Sequence, residues 1–197
     1  MRAARYEVTW PAVADRGDLR VLEPPPPLVE REAPRLAAFY NDPHNRALLT
    51  NTQDFTPADV VEHYASIERA GGYNLLLYEG QTLLGDCDLR NVDGDRAEFA
   101  ILVGPRGRQG KGLGTRFAIM AHALAFGHAG LAALYVSVRP ENTGSLRLFD
   151  KLGYLPDASP AARRYAEEAD DVCLGIRREV FLARHQEAFA AIGVKLV

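Results

Sequence analysis

The sequence predicts one mixed α/β (α+β) domain, in which helices flank a central sheet that is mixed but largely antiparallel. The 197 residues are 47% apolar and 25% charged, which suits a single globular core. Three apolar runs, at 73–80, 82–91 and 96–103, are separated by short turns and predict an antiparallel meander. A helical pattern, an apolar strand and a second helical pattern follow, which predicts a strand–helix–strand crossover.

The chain opens with two strand signals. Tyr6, Val8 and Trp10 alternate with polar residues, which fits a short strand and equally a tail packed on the domain. LRVLEPPPP predicts a strand stopped by Pro24–Pro27, because four prolines favour an extended segment that continues neither a helix nor a central ladder.

Two helices are predicted before the meander. The pattern is helical over 29–40, and the sequence NDP at 41–43 ends it. In TPADVVEHYASIERAGG, Thr56 suits an N-cap, Pro57 suits the first helical position, and Gly71 ends the helix.

The second half of the chain carries the crossover. A helix follows a glycine-rich loop and ends at Gly127 or Gly130, and the apolar run at 133–138 predicts a short central strand. ENTGSLRLFDKLGY predicts a helix between an N-cap at Asn142 and Gly153. VCLGIRREV predicts a late strand, and FLARHQEAFAAIG predicts a C-terminal helix.

These elements predict three parts of the chain. Residues 1–18 are an N-terminal extension, 19–180 form the main domain, and 181–197 form a C-terminal helix packed on that domain.

Composition excludes several classes of protein. The net charge of −3 argues against a general nucleic-acid binder, and no apolar run is long enough to span a membrane. Cys87 and Cys173 lie in apolar runs without a CxxC or Cys/His cluster, so we expect buried thiols and no metal site. The N-terminus lacks the pattern of a secretory signal, and we expect a cytoplasmic protein. The five histidines are scattered, and we expect surface or structural roles for them.

The stretch GPRGRQGKGLGTRF, Gly104–Phe117, has five glycines, four basic residues and no acid. It joins a strand to a helix, whose N-terminus offers unpaired N–H groups and the positive end of the peptide dipole. Glycines let a ligand approach the backbone, and Arg106, Arg108, Lys111 and Arg116 add charge, so the stretch predicts a phosphate or pyrophosphate cradle. The nucleotide-triphosphate motif fails because Pro105 and Gly112 occupy required positions, and the dinucleotide motif fails on glycine spacing.

The pattern that fits is Q-x-x-G-x-G at Gln109–Gly114, and here the chain resembles the GNAT superfamily of acyl-CoA-dependent N-acyltransferases. NDP, RAEFAILVGP and YVSVRPENTGSLRLFDKLGY resemble the branch of ribosomal-protein N-terminal and spermidine acetyltransferases, and the match covers about Leu19 to Glu179. The resemblance implies the GNAT fold and acetyl-CoA as cofactor. It also implies acetyl transfer to a primary amine by direct attack through a tetrahedral intermediate.

By resemblance, the residues expected to contact coenzyme A are Ile101, Leu102, Val103, Arg108, Gln109, Gly110, Lys111, Gly112, Leu113, Gly114, Thr115, Asn142, Ser145 and Phe149. In the family, a bulge in the strand before the loop frees backbone N–H groups toward the thioester, and these belong here to Ile101, Leu102 and Val103. Asn142 is also the predicted N-cap, and the two roles are compatible.

Glu98 is the candidate general base. An alkyl amine has a pKa of about 10 and must lose a proton before it attacks. Glu98 lies among Ala97, Phe99 and Ala100, where a carboxylate can have a raised pKa. A surface ion pair with Arg96, or with another residue at the end of the strand, is the alternative, and the match to the family's RAEF favours the base.

The general acid is where the chain departs from the family pattern. Phe149 stands where many relatives have a tyrosine, and it has no proton to donate. Ser145, which matches the serine of the ribosomal-protein branch, and Tyr154 are the candidates, and water is a third source of the proton. Phe149 also supports an alternative function, a catalytically silent acyl-CoA-binding or sensing domain.

The acceptor amine is left open by the sequence. A protein N-terminus, a polyamine, an aminoglycoside or another small amine fits. The oligomeric state is also open, and a homodimer is compatible with the sequence. The acids expected near the substrate are Asp54, Asp59, Glu62, Asp86 and Asp88. Asp86 and Asp88 share one strand face, where they could attract a cation or simply be solvated.

Overall fold

A computed structural model describes residues 5–11, 17–49, 53–166 and 168–197. The strands are β1 (Tyr6–Trp10), β2 (Leu19–Leu22), β3 (Tyr73–Glu79), β4 (Thr82–Asp93), β5 (Arg96–Val103), β6 (Ala133–Val138), β7 (Leu155–Pro156), β8 (Val172–Arg177) and β9 (Gly193–Leu196). The helices are α1 (Pro26–Asn41), α2 (Pro43–Leu48), α3 (Pro57–Arg69), α4 (Leu113–Gly127), α5 (Thr143–Leu152), α6 (Pro160–Arg163), α7 (Arg178–Arg184) and α8 (Gln186–Ala191).

The strands form one sheet in the order β7-β8-β6-β5-β4-β3-β2-β1-β9. Every pair is antiparallel except β5 with β6. These two strands are parallel neighbours in the sheet, and α4 connects them along the chain. The predicted meander and crossover are therefore confirmed. α4, α5 and α7 contribute to the core on one face, while α1 and α3 pack on the other against Leu76, Tyr78 and Leu83.

The N-terminal segment belongs to the sheet. β1 pairs with β2 and with β9, and its central residue, Val8, is fully buried. Of the two interpretations of Tyr6, Val8 and Trp10, the strand is the one that the structure contains.

The proline run was only partly interpreted correctly. Pro24 and Pro25 precede the helix, but Pro26 and Pro27 are its first two residues. Proline is accepted there because the first turn of a helix has no partner for its N–H groups. The NDP motif ends α1 as predicted, and it also starts α2. The side chain of Asp42 accepts from the N–H groups of His44 and Asn45 at the start of α2.

The C-terminal prediction was wrong in form. α7 begins at Arg178, inside the run predicted as a strand, and His185 separates it from α8. The last residues form β9, which pairs with β1. The last residues form a strand because the edge of β1 offers backbone groups that need hydrogen-bond partners, and β9 supplies them.

Two short elements, β7 and α6, were not predicted. No described helix is long and apolar enough to cross a membrane.

Candidate active site

A cleft opens where β5 and β6 separate. The two strands pair only from Arg96 to Glu98, opposite Ala133 to Tyr135, although both continue beyond that point. The edge of β5 from Phe99 to Val103 therefore has no strand partner on this side among the described residues. Its backbone groups are available to a ligand.

The resemblance implied a bulge in β5, and the structure does not contain it. β5 pairs with β4 without a register shift from Glu98 to Val103, and the irregularity lies in β4 between Arg90 and Asp93. The edge of β5 is freed by its separation from β6 instead.

The glycine-rich loop ends in an uncapped helix. Gly110 has φ of 71° and Gly112, the N-cap of α4, has φ of 79°, in the left-handed region that favours glycine. No side chain caps the N-terminus of α4, so the N–H groups of its first turn are left for a ligand.

Gln109 fastens this loop to its surroundings. Its amide nitrogen donates to the Val103 carbonyl at 2.7 Å and to Oδ1 of Asn45 at 2.8 Å. Asn45 in turn donates to the Gly104 carbonyl at 2.9 Å, and a ring nitrogen of His44 lies 3.1 Å from Oε1 of Gln109. Gln109 thus has a positioning role that its motif did not reveal, and His44 is structural as expected.

A groove with a cavity volume of about 470 Å³ runs between the loop, β5 and α5. We call it the loop groove; the expected cofactor residues that line it are Ile101, Leu102, Val103, Gln109, Gly110, Gly112, Thr115, Asn142 and Ser145. Leu113 is buried in the core, and Gly114 lies against Leu148. Lys111 is exposed and does not line the groove, and Phe149 lies deeper, in the cleft described below.

The basic side chains of the loop are not arranged as expected. Arg108 forms an ion pair with Glu79, and the buried guanidinium of Arg116 lies 5.0 Å from the centre of the Trp10 ring. The cations that line the groove are Arg147 and Lys151 of α5, which were not among the expected cofactor residues. Their four-residue spacing on a helix capped at the groove was the available signal.

These residues fit a cofactor that carries a pyrophosphate. A helix of 15 residues presents its uncapped N-terminus to the groove. Gly110 and Gly112 have positive φ, so a residue with a side chain at either position would have a strained backbone. Arg147 and Lys151, which also line the groove, add positive charge. The groove thus offers a pyrophosphate mainly backbone N–H groups, together with two cationic side chains from a second helix.

A second cavity, of about 200 Å³, continues from the loop groove and shares Ile101, Leu102 and Ser145 with it. Its charged and histidine residues are Asp86, Asp88, Glu98 and Asp171 together with His63, Arg90 and Arg139. We call it the acidic cleft, because its four carboxylates outnumber its two arginines.

Glu98 lies in the acidic cleft with both carboxylate oxygens engaged. Arg90 donates to Oε1 at 2.6 Å, and Asn91 donates to Oε2 at 2.6 Å. Asn91 reaches Glu98 because the irregularity in β4 gives it φ of 50°. Of the alternative, the pair with Arg96 is not formed, since Arg96 pairs with Asp95, and the ion pair that Glu98 does form, with Arg90, is buried on the Glu98 side.

Asp86 is buried at the helix side of the same cleft. Its Oδ2 accepts from the hydroxyl of Tyr40 at 2.5 Å and from the hydroxyl of Tyr64 at 2.8 Å. Burial raises the pKa of Asp86 to about 6, and the two hydrogen bonds oppose that rise. Burial, together with the charge of Asp86, raises the pKa of both tyrosines well above the ordinary value, so they remain donors.

Asp88 stands two residues further along β4. Its Oδ1 is buried and has no hydrogen-bond partner among the described residues. Arg90 Nε lies 3.8 Å from this oxygen, and His63 Nε2 lies 4.0 Å from Oδ2. His63 therefore lines the acidic cleft, and because about a third of its side chain is exposed, its position is compatible with the surface role that was expected for it.

The other acids expected near the substrate have local partners. Arg46 pairs with Asp54, Asp59 caps α3 through Thr56, and Glu62 lies 2.5 Å from Arg69. These acids do not line the acidic cleft.

Ser145 and Phe149 of α5 both line the acidic cleft, and Ser145 also lines the loop groove. The backbone N–H of Ser145 donates to Oδ1 of Asn142 at 3.0 Å, which confirms Asn142 as the N-cap. Phe149 is 4% exposed and packs edge-on against Phe99 with ring centres 6.3 Å apart. Ser145 is thus the candidate donor that the structure brings to the junction of the two cavities.

Tyr154 is placed elsewhere. It is buried in the core, lines neither the loop groove nor the acidic cleft, and its hydroxyl lies 2.7 Å from Nε2 of His122. His122 Nδ1 lies 2.7 Å from the Ala118 carbonyl, which can only accept, so Nδ1 carries the proton and Nε2 accepts from Tyr154. Burial lowers the pKa of His122 to about 3. The pair is a satisfied polar contact in the core, and the structure gives Tyr154 no access to the site.

Residues 26–155 match the model of the acetyltransferase (GNAT) domain, which spans more than half of the chain. The chain therefore belongs to the GNAT family, and it is an N-acetyltransferase that uses acetyl-CoA. The alternative of a silent acyl-CoA-binding domain is set aside.

Solved structures show the same fold at low sequence identity. RimJ of Mycobacterium smegmatis, in complex with CoA-disulfide, is 16% identical with a TM-score of 0.70, and the match covers 94% of each chain. A chimera of the spermidine N-acetyltransferase SpeG from Vibrio cholerae and hSSAT is 19% identical with a TM-score of 0.69, covering 84% of this chain and 99% of that chain. The aminoglycoside acetyltransferase AAC(6')-Ib in complex with coenzyme A is 18% identical with a TM-score of 0.66, covering 78% and 94%. No curated protein matches the chain.

Proposed function

We propose that this enzyme transfers an acetyl group from acetyl-CoA to a primary amine that is protonated in solution and carries a second positive charge. The observation that supports this most directly is the acidic cleft, which begins where the unpaired edge of β5 meets the loop groove. A reacting group held at that edge lies next to the carboxylates, which attract ammonium groups.

The loop groove would hold acetyl-CoA through backbone groups. The N–H groups at the start of α4 and the backbone of Gly110 and Gly112 would contact the pyrophosphate, and Arg147 and Lys151 of α5 would add positive charge to the same groove. When bound, acetyl-CoA supplies an acyl group activated as a thioester. The unpaired backbone of β5 lies where N–H groups can stabilise negative charge on the acyl oxygen.

Two carboxylates on one strand face support a substrate with two charges. Asp86 and Asp88 are two residues apart on β4, so their side chains lie on the same face of the strand, and both residues line the acidic cleft. The buried Oδ1 of Asp88 has no hydrogen-bond donor among the described residues, and a buried oxygen without a donor is costly. A substrate ammonium would supply that donor. A polyamine or an aminoglycoside meets this requirement, and two of the structural neighbours are acetyltransferases of those substrate classes.

The test is an amine panel with thiol release and product mass spectrometry. It compares spermidine, 1,4-diaminobutane, kanamycin, n-butylamine and a peptide with a free α-amine. We expect N-acetyl products and a higher kcat/KM for 1,4-diaminobutane than for n-butylamine, which has the same carbon chain and one charge. Activity confined to the peptide, or an O-acetyl ester as the only product, contradicts the proposal.

A further inference from the structure

Of the four carboxylates of the acidic cleft, Asp88 is assigned to the second positive charge of the substrate, and Asp171 accepts from Ser137 and from the backbone N–H of Glu168. Glu98 and Asp86 remain as acceptors for the proton of the reacting amine, and the structure distinguishes them. Glu98 was expected for this role from the sequence. Both of its oxygens, however, already accept short hydrogen bonds from Arg90 and Asn91. A carboxylate so engaged is suited to holding its partners in place, and it offers the amine no oxygen without a donor.

Asp86 has the opposite arrangement. The phenols of Tyr40 and Tyr64 both donate to Oδ2, and neither donates to Oδ1. The phenols come from α1 and α3, so the carboxylate is fixed from the helix side while the residue lines the acidic cleft. Asp86 is also the cross-strand partner of Leu102, on the strand whose free edge borders the cleft.

The charges around Asp86 set its proton affinity. Burial raises its pKa to about 6, the hydrogen bonds from Tyr40 and Tyr64 lower it, Asp88 raises it, and His63 lowers it. The other titratable or charged groups that line the same cleft are Cys87, Arg90, Glu98, Arg139 and Asp171. A base with a pKa just below the working pH is mostly ionised and still binds a proton well, which is the balance that general-base catalysis requires.

We propose that Asp86 accepts the proton of the substrate ammonium, and that Glu98 acts as a positioning residue that holds Arg90. This inference rests on the proposed function. One of the three ammonium protons passes to Oδ1 of Asp86, and the freed nitrogen lone pair forms the C–N bond to the acyl carbon. The C–S bond breaks as the second proton leaves nitrogen and the sulfur departs as a thiol. Asp86 then returns its proton to water, so atoms and charge balance.

The first experiment compares pH profiles of kcat/KM for the wild type, Asp86→Asn and Glu98→Gln. The probe is spermidine, or the panel amine with the highest kcat/KM if that differs. We expect an acidic limb near pH 6 in the wild type. In Asp86→Asn the limb should be lost and kcat/KM should fall by roughly a hundredfold, the usual contribution of a positioned base. In Glu98→Gln the acidic limb should remain, whatever the change in absolute rate.

A second pair of variants keeps the base and shifts its pKa in opposite directions. Tyr64→Phe removes a donor that lowers the pKa of Asp86, so the acidic limb should move to higher pH. Asp88→Asn removes a negative charge that raises this pKa, so the limb should move to lower pH. A purely structural role for Asp86 does not produce opposite shifts, and this pair decides the matter even if Asp86→Asn fails to fold.

The outcomes separate the two proposals. If the wild type forms no N-acetyl product with any amine of the panel, the proposed function falls and this assignment falls with it. If product forms and the acidic limb survives in Asp86→Asn, or disappears only in Glu98→Gln, the assignment of Asp86 alone is overturned. Unmoved limbs in both Tyr64→Phe and Asp88→Asn overturn it as well.

Discussion

The loop groove and the acidic cleft meet at Ser145 and the end of β5, yet they are built in different ways. The groove depends on backbone: two glycines with positive φ, an uncapped helix N-terminus, and an unpaired strand edge. The cleft depends on buried and half-buried side chains that come from α1, α3, β4, β5, β6, α5 and the segment before β8. A backbone site is specified by a short continuous stretch of sequence, whereas a side-chain site requires the whole fold.

This difference fits the two ligands that the enzyme would bind. A pyrophosphate presents several oxygens to which a row of N–H groups is complementary, and such a row does not depend on side-chain identity. An amine is recognised by charge and by proton affinity, which individual carboxylates and their neighbours adjust. We therefore expect substitutions in the groove to change cofactor binding and those in the cleft to change pH dependence and amine choice.

The largest expected effect comes from adding a negative charge to the groove. Gly112→Asp should raise the Kd for acetyl-CoA beyond the measurable range, because its carboxylate would repel the pyrophosphate. Gly112→Asn is the matched control, similar in size and backbone preference but uncharged. Isothermal titration calorimetry should show binding by the Asn variant.

A negative charge at a helix N-terminus is itself favourable, so Gly112→Asp should unfold no earlier than Gly112→Asn. If both variants bind acetyl-CoA like the wild type, the backbone of Gly112 is not part of the cofactor site.

The buried carboxylate of the cleft should make stability depend on pH. The folded pKa of Asp86, about 6, lies above the ordinary 3.8. Its stabilising contribution is therefore complete below pH 4 and is lost as pH rises through 6. At 1.36 kcal/mol per pKa unit, the loss is about 3 kcal/mol. Urea unfolding should show Asp86→Asn gaining about that much free energy of unfolding relative to the wild type between pH 4 and pH 7.

Asp59 provides a control of opposite sign. Hydrogen bonds from Thr56 lower the pKa of this exposed carboxyl, so its contribution is present at neutral pH and is lost in acid. Asp59→Asn should therefore lose stability relative to the wild type as pH rises toward 4 from below, with little further change between pH 4 and pH 7. Parallel pH curves for wild type and Asp86→Asn would contradict the first expectation.

A residue outside both cavities should affect stability without affecting catalysis. Tyr154→Phe leaves Nε2 of the buried His122 without its donor, which should lower the free energy of unfolding by about 1–3 kcal/mol. Because Tyr154 lines neither cavity, kcat/KM should stay within about twofold of the wild type in folded protein, the range of a change remote from the reacting groups. A large loss of kcat at unchanged stability would return Tyr154 to the list of proton donors.

The sequence predicted the groove better than the cleft for a physical reason. The glycine spacing at Gln109–Gly114 and the N-cap at Asn142 are local signals, and each has a local structural consequence. The same local pattern could not show that Arg108 pairs with Glu79 or that Arg116 stacks on Trp10, since those partners are distant in the chain.

The cleft shows the limit more clearly. Asp86 and Asp88 were identifiable as two acids on one strand face, but the phenols that fix Asp86 come from helices 22 and 46 residues earlier. Glu98 was identified from its motif. Its hydrogen bonds with Arg90 and Asn91 depend on an irregularity in β4, which has no recognisable pattern in the sequence. The C-terminal strand was missed because β9 exists only through its pairing with β1.

The smallest expected effect lies at the junction of groove and cleft. A thiol has a pKa of about 8.5, so the thiolate leaves readily and needs little help from an acid. Ser145→Ala also leaves the cap of α5 intact, because Asn142 accepts from the backbone N–H of Ser145 and not from its hydroxyl. We therefore expect kcat to fall by less than about tenfold, which is below the roughly hundredfold or more that a positioned acid usually contributes. Steady-state kinetics at saturating acetyl-CoA measures this, and Phe149→Tyr in the Ser145→Ala background should restore part of the loss by returning a hydroxyl to the cleft. A fall of a hundredfold or more, with no rescue, would show that Ser145 is an obligatory proton donor and that water cannot replace it.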